Sequence, residues 1–205
     1  MALDLKSMSS EKKIVLCGAA VAALFAFVAL ILSFVFPATE EGIFKTIIKG
    51  GSFASLNCAS IFLFFATLGV AAIQYVKAAP LKMLPMIPVK IAAPALIALT
   101  GLFTVLYFQV SLETGGFLSG RNALGIILLI LAVLEICLFA LNVLENKDVP
   151  GIVLLASAVL LLVLSIIALA ETAKDGIVAF KLFYIFYVVS VLAYAGLVCF
   201  NEIKE

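Results

Sequence analysis

Residues 123–144, with the sequence ALGIILLILAVLEICLFALNVL, decide the fold of this chain. The stretch contains fifteen Leu, Ile, Val and Phe residues, and its one charged residue is Glu135. A helix needs about 20 mostly apolar residues to cross a bilayer core of about 30 Å. The stretch therefore predicts a transmembrane helix that carries a carboxyl group near its middle.

Five further stretches have the same character, and only Glu135 and Lys181 of the chain's 25 acidic and basic residues lie within the six. The other predicted spans are residues 14–36, 53–75, 91–110, 151–170 and 177–200. They do not alternate as barrel strands do, and a helix satisfies its own backbone in lipid. We expect an all-α polytopic membrane protein of three consecutive helical hairpins, forming one bundle over residues 1–205 with no soluble domain.

Composition excludes several classes of function. The chain is 66% hydrophobic and 12% charged, with a mean hydropathy of +1.33, whereas soluble domains have about 45–50% apolar and about 25% charged residues. Because there is no His, sites that need imidazole are excluded, including Ser–His and Cys–His catalytic pairs. A net charge of +1 gives no indication of nucleic-acid binding. No catalytic, metal or cofactor motif is found, so we do not expect an enzyme.

The four cysteines fall inside apolar runs and form no C-x-x-C pair; they are Cys17, Cys58, Cys137 and Cys199. We interpret them as free, buried thiols.

The distribution of basic residues predicts an orientation. Eight lysines lie on the side that carries both termini, against four or five basic residues on the other side. Cytoplasmic loops carry the excess of Lys and Arg. We therefore expect both termini in the cytoplasm and the protein in a plasma or inner membrane.

Glu135 is the most informative residue. A charge at the bilayer centre costs about 2.5–3.5 kcal/mol on insertion scales, so this side chain should face the bundle interior. One interpretation is a carboxylate that binds a proton, a cation or a cationic solute. The other is a protonated acid that only hydrogen-bonds a neighbouring helix.

Polar residues on three helices are candidate partners of Glu135 in a solute or ion site. Tyr187 and Ser190 lie at nearly the same depth in the membrane as Glu135. The helical rise places Lys181 more than about 10 Å from Glu135, near the membrane surface on the side away from the termini. Lys181 can snorkel to the headgroups, or it can form a direct or water-bridged pair with Glu135. The full candidate set is Glu135, Asn142, Tyr187, Ser190, Thr100, Thr104 and Lys181.

A stripe of small residues on the first span predicts close helix packing; its members are Gly18, Ala22, Ala26 and Ala29. It can contact another helix of the same chain or a second subunit. The connector at 77–90 contains three prolines and several apolar residues, which rest on lipid or dock a partner.

Two functions fit these patterns. The first is a small-solute transporter, or the solute-binding membrane subunit of a larger transporter, with Glu135 in a polar cavity between helices. The second is a non-catalytic accessory or scaffolding subunit of a membrane complex. Expected partners are the lipid bilayer, a small solute and other membrane subunits, with no cofactor and no metal.

Overall fold

A computed structural model describes residues 8–35, 56–77, 89–109, 120–146, 149–170 and 173–204. Each of these ranges is a helix, so the all-α prediction is confirmed. The helices are α1 (Ser10–Val35), α2 (Leu56–Lys77), α3 (Val89–Gln109), α4 (Gly120–Asn146), α5 (Val149–Ala170) and α6 (Ala173–Lys204). The connector at 78–88 lies outside the described residues, and so do residues 36–55, 110–119, 147–148 and 171–172 between the other helices.

Five of the six described helices are long and apolar enough to cross a membrane. The sixth, α3, has 21 residues, and Ile91–Tyr107 within it is apolar. At 1.5 Å per residue, 21 residues span about 32 Å, close to the thickness of a bilayer core. The chain is therefore a multi-pass membrane protein.

The helices form a closed ring. Each helix packs against the next along the chain, α6 packs against α1, and a smaller contact joins α2 to α6. Neighbours run antiparallel, since Gly18 near the start of α1 meets Gly69 near the end of α2. The twelve helix ends therefore divide between a terminal end of the bundle, which holds Ser10 and Lys77, and a distal end, which holds Val35 and Ala170.

Helix α1 has small residues inside the bundle and large apolar residues outside, whereas other helices also bury large apolar side chains such as Leu63, Leu128 and Leu161. On α1 the buried positions recur every three or four residues, at Ala19, Ala22, Ala26 and Ala29. Leu24 and Phe27 on the same helix point outward and are more than half exposed. In a bilayer such side chains contact lipid, while small residues let helices approach closely.

Two glycines bring α1 and α2 into backbone contact. A Cβ placed on Gly69 would lie 2.6 Å from the carbonyl oxygen of Gly18 and 2.8 Å from the backbone nitrogen of Ala22. A Cβ on Gly18 would lie 2.9 Å from the carbonyl oxygen of Gly69. Only glycine fits at either position, because any side chain would meet backbone that cannot move aside.

The prediction that the cysteines are buried is wrong for two of them. Cys17 and Cys137 are exposed on the outside of the bundle, and Cys199 is partly exposed; all three are free thiols. The side chain of Cys58 lies outside the described part of the structure. Hydropathy does not separate a thiol in the protein interior from one that faces lipid, because both surroundings are apolar.

Candidate functional site

Glu135 lies inside the bundle, near the middle of α4. Its side chain is 3% exposed, and its Oε1 atom accepts a hydrogen bond of 2.6 Å from the hydroxyl of Thr100 on α3. Thr100 is fully buried. Among the side chains that the structure describes, which do not include that of Lys181, no basic group pairs with Glu135. The carboxyl group is therefore held by a neutral donor from another helix, in surroundings where an ionised carboxylate is costly.

Thr100, Glu135 and Tyr187 of α6 form what we call the Glu135 cluster. Tyr187 is buried and lies within the range of an electrostatic interaction with Glu135. The inner face of α6 also carries Tyr184 and Tyr194, both almost completely buried. Residues three or four positions apart share a helix face, so these tyrosines follow one stripe that points into the ring. Helices α3, α4 and α6 therefore bring a threonine, a glutamate and a tyrosine together, far apart in sequence.

The remaining predicted site residues lie at varying distances from this cluster. Thr104 is buried, but its hydroxyl donates to the carbonyl of Thr100 in its own helix at 2.7 Å. Ser190 likewise donates to the carbonyl of Phe186 at 2.9 Å. Asn142 is half-buried, two turns from Glu135 toward the terminal end. Lys181 belongs to α6, and its side chain lies outside the described part of the structure.

Two polar pairs join α2 to α6, and sequence reasoning missed both. Gln74 donates from Nε2 to the hydroxyl of Tyr194 at 2.6 Å in the bundle interior. Nearer the terminal end, Lys77 forms an ion pair with Glu202 at 2.5 Å. The Glu202 side chain is 8% exposed and that of Lys77 is 37% exposed. One sign of these pairs was present in the sequence, since Gln74 and Glu202 are polar residues at the ends of apolar helices. Polar side chains at such positions are usually interpreted as reaching out to the lipid headgroups.

The stripe of small residues on α1 lies against helices of the same chain. Gly18 and Ala22 meet Gly69 of α2. Ala26 and Ala29 are fully buried, and the carbonyl of Ala29 accepts a hydrogen bond of 3.2 Å from Tyr184 of α6.

Chemically, the Glu135 cluster can take up or release a proton and can hold a positive charge. The Thr100 hydroxyl stabilises the carboxyl in either protonation state, because it donates to an oxygen that is an acceptor in both. Within the described ranges, no group of three or more Cys, Asp or Glu side chains is arranged to hold a metal ion.

Comparison with known proteins adds no further function. No protein-family model matches the chain, and no curated protein or solved structure matches it.

Proposed function

We propose that this chain is a membrane transport protein for a small solute, or the solute-binding membrane subunit of a larger transporter, and that Glu135 is the residue that binds the cationic group or the coupling proton. One observation carries the proposal. Glu135 is buried inside the bundle, close to the middle of its span, with a hydrogen-bond donor on α3 and the buried Tyr187 of α6 within electrostatic range. Ionisable residues at this depth are costly, and they typically mark ion and substrate pathways.

The contrast with the rest of the ring supports this interpretation. A helix bundle needs no carboxyl group to pack, and small apolar residues already close the α1–α2 contact. Burying Glu135 costs free energy. That cost is explained if the carboxyl group changes its charge or its binding partner during each transport cycle. We place no catalytic chemistry in the chain, and we assign both termini to the cytoplasm from the lysine distribution.

Transport by reconstituted protein tests the proposal. Proteoliposomes are screened by solid-supported membrane electrophysiology against organic amines, amino acids and alkali cations, with and without a proton gradient. We expect transport currents for one of these classes and their loss in Glu135→Gln, which keeps the shape of the side chain and removes its ionisation.

The matched control is Glu145→Gln, the same substitution on the same helix. Glu145 is exposed at the terminal end of α4, so its replacement should leave the currents unchanged. Both variants should elute as the wild-type protein does on size exclusion. Currents that survive in Glu135→Gln would contradict the assignment of this residue.

An accessory subunit is the second candidate, and an outward groove between α1 and α2 favours it. The groove encloses about 400 Å³ and has Cys17, Val21, Phe65 and Leu68 along its walls. Native mass spectrometry of gently extracted protein separates the two functions. A stoichiometric protein partner without a bound solute supports the subunit, and a bound small molecule that Glu135→Gln loses supports transport.

A further inference from the structure

We propose that the contact between α2 and α6 is a gate, which closes the Glu135 site toward the terminal end of the bundle and is held shut by the pairs Gln74–Tyr194 and Lys77–Glu202. The inference rests on the proposed transport function, because a gate serves a site that exchanges its occupant. It concerns residues that are not in the site itself.

The position of the two pairs along α6 is the first argument. Tyr187 interacts with Glu135, Tyr194 lies seven residues further on, and Glu202 lies fifteen residues further on. With a rise of 1.5 Å per residue, Tyr194 and Glu202 are about 10 Å and about 22 Å from Tyr187 along the helix. Both are on the terminal side of the site. A path that follows the inner face of α6 from Glu135 to that end therefore passes both pairs.

The side chains between the polar pairs are the second argument. Val188 and Val191 are buried on the inner face of α6 between Tyr187 and Tyr194, and Val198 is buried between Tyr194 and Glu202. An apolar constriction excludes water and ions while its walls are in contact. Along the inner face of α6, the polar side chains that bind α2 therefore alternate with buried valines. A closed gate requires such apolar layers to exclude water and ions.

The weakness of the α2–α6 contact is the third argument. α2 packs mainly against α1 and α3, and α6 packs mainly against α1 and α5, while the two helices meet each other over a smaller area. Their separation would leave the large contacts of both helices in place. The ion pair between Lys77 and Glu202 is also reversible, because the Lys77 side chain is 37% exposed and water competes for its charge.

The test measures access to a position behind the gate. Val191 is replaced by Cys in a chain whose four native cysteines are changed to Ser, and the protein is reconstituted with its terminal end accessible. A membrane-impermeant maleimide is added, and the rate of labelling is recorded. We expect slow labelling, which the double variant Tyr194→Phe with Glu202→Gln accelerates about tenfold, corresponding to about 1.4 kcal/mol of lost closure.

Two control variants separate a gate from a general loosening of the protein. Glu145→Gln removes a charge from the same end of the bundle but from α4, and it should leave the labelling rate unchanged. Exchanging the charges, Lys77→Glu with Glu202→Lys, should restore slow labelling relative to either single substitution. Unchanged labelling in the double variant, or no recovery on charge exchange, would overturn the gate.

A second measurement leaves both polar pairs intact and so does not depend on how well those variants fold. Tyr75 and Ile203 are exposed neighbours of the gate on α2 and α6. Each is replaced by Cys, labelled with a nitroxide, and the distance distribution is measured by electron paramagnetic resonance. Two separations are expected in the bilayer, and a single narrow one would contradict the proposal. Neither measurement requires a solute, so failure of the gate is distinguishable from failure of the transport assignment.

Discussion

Helix α2 makes two contacts of opposite kinds. Against α1 it places backbone on backbone through Gly18 and Gly69, with no polar side chain needed. Against α6 it places the tips of long polar side chains, Gln74 and Lys77, on the side chains of Tyr194 and Glu202. The first contact cannot open a little without losing its packing. The polar contact with α6 can break and re-form. Helix α2 therefore has a permanent face, which stays packed against α1, and a second face that can separate from α6.

Adding one methyl group at the permanent face should give the largest loss of stability. In Gly69→Ala the new Cβ meets the backbone of Gly18 and Ala22, so α1 and α2 must move apart. Overpacking of this kind costs about 1–3 kcal/mol. The midpoint of thermal unfolding in detergent micelles should fall accordingly.

Gly196→Ala is the matched control for that substitution. No atom lies within 4 Å of a Cβ at this position on α6. The change should be neutral or stabilise the helix by up to about 1 kcal/mol, because Ala is the better helix former. If both alanine variants unfold alike, the close approach of α1 and α2 has no special weight in the stability of the bundle.

The contact between α3 and α4 should come second in size. Thr100→Val keeps the shape of the side chain and removes the donor to Glu135. A buried polar group that loses its partner costs about 1–3 kcal/mol, and within a membrane side-chain hydrogen bonds average nearer about 0.6 kcal/mol. We expect a measurable fall in the unfolding midpoint, at the lower part of that range.

Thr104→Val sharpens this comparison, because it is the same change one helical turn away. The Thr104 hydroxyl bonds only to its own helix, at the carbonyl of Thr100. Without the hydroxyl, that carbonyl still accepts its backbone hydrogen bond within α3. The substitution should therefore lower the free energy of unfolding less than Thr100→Val does. Equal losses for the two variants would argue against the bond between Thr100 and Glu135.

The smallest effect is expected at Ser165 on α5. Its hydroxyl is fully buried and has no hydrogen-bond partner in the described part of the structure. Removing a buried polar group that makes no bond is neutral or stabilising. Ser165→Ala should therefore leave the unfolding midpoint unchanged or raise it slightly. A clear fall would mean that this hydroxyl has a partner in the protein as it exists in the membrane.

Hydropathy was sufficient to predict which segments are helices, but not how each helix is rotated about its axis. Lipid and protein interior are both apolar, so an apolar residue such as Cys137 gives no sign of the side on which it lies. Glu135 was an exception, because a carboxyl group that faces lipid is costly in free energy, so the side chain is expected to face the bundle interior. The prediction that it faces inward agrees with its burial, and Tyr187 was a foreseeable neighbour because the two lie at similar depth.

The pairs Gln74–Tyr194 and Lys77–Glu202 show what could not be foreseen. Each joins helices that are far apart in the chain, 120 residues in the first case. Only closure of the ring brings α2 and α6 together, and closure depends on how all six helices pack. A polar side chain near the end of a span has a simpler explanation in snorkelling, so its sequence position alone does not reveal a partner.

Ring closure also sets the order in which the protein can be built. α1 packs on both α2 and α6, and the Ala29 carbonyl accepts from Tyr184, 155 residues later in the chain. During synthesis α1 and α2 can pair as soon as both have entered the bilayer, but the other flank of α1 waits for the last helix. Until α6 arrives, the flank of α1 that carries the Ala29 carbonyl faces lipid or a helper protein, and a chain truncated before α6 keeps that flank uncovered.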